Sequence, residues 1–266
     1  MNKPLTRTDR IQTASMTVHG RNVPVVLKAN KRARRMILKV DPVRREVTIT
    51  SPSIRSFAQA LSFAQKHEAW VAERLDDMPA PVPFVDGAVI PVRGVMHRID
   101  HDSGGRARAP VRIETTDPYE DDLPLFSNQG SDPRIVVSGD AAHLSRRVTD
   151  WLKREARKDL EAATLAHAAA YGTAPARITL RDTSSRWGSC STSRVINYSW
   201  RLIFAPPYAL DYVAAHEAAH LIEHNHGPRF WKLVRTRIAD IDRAKAWLSE
   251  NGAALHRYGA ADPSGG

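Results

Sequence analysis

Pro206-Pro207-Tyr208-Ala209-Leu210-Asp211-Tyr212-Val213-Ala214-Ala215-His216-Glu217-Ala218-Ala219-His220, with His226-Gly227-Pro228 shortly after it, is the stretch on which the reading of this chain turns. Proline suits a first helical turn, and Leu210, Val213, Ala214, Ala218 and Leu221 supply an apolar surface. The segment is therefore expected to be a packed helix running through His220. Residues four apart on a helix differ by about 40° in azimuth and ~6 Å in rise. His216 and His220 thus point to one side and can share a cation. Glu217 sits about 100° from His216 and about 60° from His220 on the same wheel. It flanks the shared position, where a carboxylate can take a proton from a water held by the cation.

A third ligand must come from nearby. If the helix continued, His224 would lie ~12 Å along the axis from His216, too far to join. Glu223 faces about 60° away from His220 and a turn higher. His226 is the better candidate, because Asn225 tolerates the left-handed conformation that ends helices and Gly227-Pro228 forbids continuation. A turn at Asn225 would fold His226 back on the first two, at the spacing of the H-E-x-x-H-x-x-G-x-x-H proteases, with Glu223 in place of the glycine. Three neutral imidazoles would leave one tetrahedral position for water, the catalytic and not the structural zinc arrangement. All five Met precede the motif, so no Met-turn can follow it and a true metzincin is not expected.

Composition narrows the metal chemistry further. The single cysteine, Cys190, allows neither an intramolecular disulfide nor a thiolate-rich zinc site. No window approaches the ~18 to 20 apolar residues of a membrane span, and Met1 to Gly20 has no apolar signal region. A cytoplasmic protein without a membrane partner is expected. The net charge of +10 suits either general solubility or contact with nucleic acid.

Upstream of the motif, Val23 to Leu27, Met36 to Val40 and Glu46 to Thr50 read as strands, with Lys31 to Arg35 as a charged hairpin end and Asp41-Pro42 as a turn. Ser53 is expected to cap one helix reaching Asp77, stopped by Pro79, Pro81 and Pro83. Ala88 to Val95 and Met96 to Ile99 suggest a hairpin around Gly94, residues 101–133 a connection, and Arg134 to Ser138 a strand. A long helix follows from Ala141 to Tyr171, with an apolar face from Leu144 to Ala170 on which His167 falls as a packed residue. Ile178 to Leu180 is a strand, Asp182 to Arg194 a polar loop, and Ile196 to Phe204 an alternating, half-buried strand. An edge of that strand offers extended peptide a place for β-addition.

Arg186-Trp187-Gly188-Ser189-Cys190, Ile196-Asn197, Trp200-Arg201-Leu202-Ile203, Ala205-Pro206-Pro207, Asp211-Tyr212-Val213, the His-Glu motif, and Asn225-His226 through Arg229-Phe230-Trp231 together resemble the YgjP-like zinc metallopeptidases, which are related to SprT-like proteins. Arg34-Arg35-Met36, Pro83-Phe84 and Asp86-Gly87 extend the likeness; residues 1–20, 101–133 and 255–266 lie outside it. The resemblance implies an α+β chain in which a zincin-like C-terminal domain with a catalytic helix follows a β-rich N-terminal portion. It also implies zinc ligands at His216, His220 and His226 and a general base at Glu217. The corresponding organisation is an N-terminal tail (1–20), a β-rich portion with one helix (21–140), the zincin-like domain (141–254) and a C-terminal tail (255–266). Trp187-Gly188 would wall a substrate cleft or form a packed turn, with Cys190 near the metal or simply buried.

The expected function is hydrolysis of peptide bonds in a protein or peptide substrate. Its rival is a nucleic-acid-associated protein that works through its basic surface, and a hybrid would be a protease acting on DNA-bound proteins.

Overall fold

The computed structural model describes residues 11–41, 44–53, 57–104, 109–114 and 133–260. Its architecture is mixed α+β, with six helices and three small sheets among the described residues. The chain divides into two compact units, Met1–Ala80 and Pro81–Gly266. No helix among the described residues is long and apolar enough to cross a membrane.

The first unit is a four-stranded sheet, in the order β1-β2-β4-β3, with two helices. Its elements are β1 (Ile11–Val18), β2 (Arg21–Ala29), β3 (Ile37–Asp41), β4 (Glu46–Ser51), α1 (Phe57–Lys66) and α2 (Glu68–Asp76). Val25, Leu27, Val47 and Ile49 bury against Ala60, Ala64 and Val71. Three features depart from the sequence reading. Part of the expected tail is a strand: Ala14, Met16 and Val18 alternate with polar residues, and His19-Gly20, both at positive φ, closes a tight hairpin to β2. Lys31 to Arg35 is not a hairpin end, since β4 lies between β2 and β3 and runs parallel to β2. The single expected helix is two, separated at His67, whose φ and ψ of −107° and 22° are not helical. Residues 54–56, next to the expected cap Ser53, and Pro42 of the expected turn lie outside the described residues.

The second unit holds the remaining two sheets. The first contains β5 (Val89–Val92), β6 (Val95–Asp102), β7 (Val111–Glu114) and β8 (Arg134–Ser138) in the order β5-β6-β8-β7. The β5–β6 hairpin expected around Gly94 is present, with Arg93 and Gly94 both at positive φ. Most of the expected connection 101–133 lies outside the described residues. The second sheet contains β9 (Arg177–Arg181), β10 (Gly188–Cys190) and β11 (Val195–Ser199) in the order β10-β11-β9. Strand β10 arises within the stretch read as a polar loop.

Helix α3 (Leu144–Ala170) joins these layers, burying Val148, Leu152, Ala156 and Leu160 in a core shared with Ile99, Ile135 and Val137 of one sheet and Ile196 and Tyr198 of the other. Helix α3 thus packs within the second compact unit, Pro81–Gly266, whose core it helps to form. Helices α4 (Pro207–Ala219), α5 (Pro228–Arg237) and α6 (Ile241–Asn251) complete the unit.

Two further differences follow from burial. The strand expected to reach Phe204 stops at Ser199, and Trp200–Phe204 is a 3₁₀ helix with every residue buried. Arg201 reads as an outward-facing polar residue, yet it is only 2% exposed. Its guanidinium donates to Asp182 at 2.6 Å and to the Tyr258 carbonyl at 2.6 Å, which draws the chain inward. Residues 255–260 likewise belong to the fold and not to a tail: Leu255, His256 and Ala260 are buried, and Val82 bridges to Tyr258.

Candidate active site

Helix α4 is buried on nearly all sides, with Leu210, Tyr212, Val213, Ala214, Ala215, Ala218 and Ala219 inside, so its backbone is fixed by packing on every face. Pro207 occupies its first turn, as expected. The helix ends at Ala219, and His220 is its C-cap. The reversal does not use a left-handed Asn225, because among the described residues only His19, Arg45, Arg93 and Arg194 of the non-glycines have positive φ. The chain instead tightens at once: Leu221 and Ile222 donate to the Ala218 and Ala219 carbonyls. His220 Nδ1 then meets the Glu223 carbonyl at 2.9 Å, a contact that also sets the ring's tautomer.

This turn carries His226 back to the helix. One ring nitrogen from each of His216, His220 and His226 lies within 4.8 Å of the others, and the Nε2 atoms of His216 and His226 are 3.1 Å apart. Zn–N bonds of about 2.0–2.1 Å in a tetrahedron place ligand nitrogens about 3.3–3.4 Å apart, so the cluster fits a small divalent ion. The donor chemistry fits too. Burial, with His220 and His226 beside it, pushes His216 down to about 3, and burial lowers His220, so both offer neutral imidazole nitrogens at neutral pH. His220 donates Nδ1–H to the carbonyl and leaves Nε2 free for the ion. His224 is exposed and outside the group, and Glu223 contributes its backbone carbonyl alone.

Glu217 is 5% exposed, and its Oε2 is buried without a hydrogen-bond partner among the described residues. Burial raises its carboxyl to about 7, held back by the positive charge of Arg186. The carboxylate lies under strand β10, where a Cβ added to Gly188 would stand 2.5 Å from Glu217 Oε1 and 2.6 Å from its Cγ. Cys190 on the same strand is half-buried and outside the histidine group; burial and the field of Glu217 push its thiol up to about 11. Trp187 stacks on His256 at 5.4 Å and packs against the core.

Reasoning from the sequence missed two contributors. Phe230 of α5 is fully buried, and its ring centroid lies 4.8, 4.5 and 4.7 Å from those of His216, His220 and His226. Gly188 makes room for Glu217. The Gly227-Pro228 start of α5 signals that Phe230 lies in a first helical turn, but nothing local shows which rings it meets. His167 is a packed residue, as expected, bonded to Asp211 at 2.7 Å.

A family model for the YgjP-like metallopeptidase domain matches residues 34–251. The chain belongs to the YgjP-like metallopeptidase family. No curated protein and no solved structure matched the chain. Membership makes this YgjP-like chain a metallopeptidase, so a metal cofactor and a protein or peptide substrate are implied.

Proposed function

We propose that this protein is a zinc-dependent peptidase in which His216, His220 and His226 hold the metal and Glu217 is the general base. The observation that carries the reading is the convergence of three imidazole rings, one nitrogen of each within 4.8 Å of the others, beside a buried carboxylate whose Oε2 has no hydrogen-bond partner among the described residues. A zinc ion held there supplies a Lewis acid and brings the pKa of a water it binds to about 7.

The chain's own residues do the rest. Glu217, raised to about 7, is poised both to accept a proton from the attacking water and to return it to the leaving amine. Gly188 and the packed α4 backbone fix where that carboxylate sits. Phe230 holds the three rings in register and keeps water from behind them. The edge expected to receive substrate is not on β11, because β10 and β9 occupy both its sides; of the two edge strands, β10 lies over Glu217.

Glu217→Gln keeps the shape and removes the base. Hydrolysis of an unstructured protein by the zinc-loaded enzyme should fall by about 10²–10⁴-fold, while zinc content by elemental analysis stays at the wild-type level. Residual activity near wild type would end the mechanism. A purely nucleic-acid-binding protein would show no hydrolysis in either form.

A further inference from the structure

The small sheet β10-β11-β9 has two unlike faces. Ser189 opposes Asn197, and Asn197 opposes Thr179, so these three share one face, and Arg181 joins them two residues beyond Thr179. Cys190, Ile178, Leu180, Ile196 and Tyr198 point the other way, into or against the core. Glu217 lies on that inner side of β10, against Gly188. A cavity of about 220 Å³ here is lined by Arg181, Thr183, Arg186, Ser189 and Asn197, together with Gly188 and Tyr198.

The charge in this cavity is one-sided. Two guanidinium groups line it and no carboxylate does. Arg181 gives one N–H to Asn197 Oδ1 at 3.1 Å and keeps its other donors. Neither arginine has a carboxylate partner among the described residues. The nearest carboxylate in sequence, Asp182, is engaged by the buried Arg201 at 2.6 and 3.2 Å. Thr183, Ser189 and Asn197 add neutral polar groups. Two unpaired cations beside neutral hydrogen-bonding groups form a receptor for an anion. Gly188, which lines the cavity, lies against Glu217, so the cavity adjoins the reacting centre.

We propose that this cavity is a specificity subsite for an acidic side chain, aspartate or glutamate, of the polypeptide substrate, with Arg186 and Arg181 as its anion-binding groups. The inference rests on the peptidase reading and names its substrate class. Strand β10 is one of the two edge strands of its sheet. A peptide added along that edge runs ~4.8 Å away and turns alternate side chains to the outer face. One such side chain falls beside Ser189 and Arg186. A volume of about 220 Å³ admits a carboxylate side chain and not a nucleoside with its phosphate, being below the ~300–1,000 Å³ of pockets that enclose whole small molecules.

The test uses the zinc-loaded full chain. Peptides cut from an unstructured protein are first mapped by mass spectrometry. A cleaved sequence is then remade with Asp or Glu, and with Asn or Gln, at each position flanking the bond. At one position the acid should raise kcat/KM about ten- to a hundredfold over its amide. That preference for acid over amide should vanish in R186Q and R181Q, and R186K should restore part of it. Equal cleavage of acid and amide at every position overturns the proposal. Binding of the same labelled peptides to zinc-loaded E217Q, read by fluorescence anisotropy, separates the two readings. Tight, arginine-dependent binding of the acidic peptide without any cleavage by wild type would sink the peptidase reading and leave the anion subsite standing. Displacement of that peptide by an equally charged single-stranded oligonucleotide of equal affinity would instead assign the cavity to nucleic-acid phosphate and overturn it.

Discussion

At the scale of single residues, the site is decided by what a side chain leaves room for. Gly188 is neither polar nor titratable, and its φ is unremarkable, yet the position of the Glu217 carboxylate, the proposed base, depends on its lacking a Cβ. Glu217 is a buried side chain with little space to yield. Gly188→Ala should therefore shift the carboxylate by more than an ångström and lower kcat by about 100-fold. Zinc content and Tm should stay close to wild type; a variant with unchanged kcat would show that Glu217 can move freely. His216, Glu217 and His220 were legible from helix geometry alone, since i, i+1 and i+4 fix their azimuths. Gly188 was not legible as a contributor, because its role lies in a distance to a residue far along the chain.

Secondary-structure elements then set how firmly the residues are held. Helix α4 is fixed by burial on almost every face, and its early stop at Ala219 brings His226 within reach. The expected glycine-like reversal at Asn225 is replaced by a tight turn that His220 itself closes through Glu223. Helix α5 contributes a single fully buried ring that touches all three imidazoles. Phe230→Ala should cost about 3–5 kcal/mol of stability from the cavity it leaves. Because the rings lose their common backing, zinc affinity measured by competition with a chelator should fall as well. A loss of stability with unaltered zinc affinity would assign Phe230 a packing role alone. The spacing of α5 from His226 could be read in the sequence; its docking against the motif could not, since packing partners are not periodic.

Across the molecule, the last described residues are tied to the middle of the chain. Arg201 donates to Asp182 and to the Tyr258 carbonyl, while Leu255 and Ala260 are buried and Val82 bridges to Tyr258. Ending the chain after residue 254 removes Leu255 from the core and strips acceptors from a buried guanidinium. These losses amount to about 3–5 kcal/mol, which for a unit of this size lowers Tm by about 10 °C. Calorimetry on the truncated protein checks this, and an unchanged Tm would show that residues 255–266 are dispensable.

The sequence by itself determined the local layout of the proposed site: one helix, two histidines four apart, a glutamate between them and a third histidine past a helix stop. Those relations are local, and backbone geometry converts them directly into directions in space. It also determined most of the helices and strands, because periodicity records which face is buried. Only the tertiary structure decided that Arg201 points inward, that β10 and β9 and not β11 are the edge strands, and that Gly188 and Phe230 frame the site. Each of these depends on which distant segments share a core, and side-chain packing and charge pairing across long separations leave no period in the chain to read.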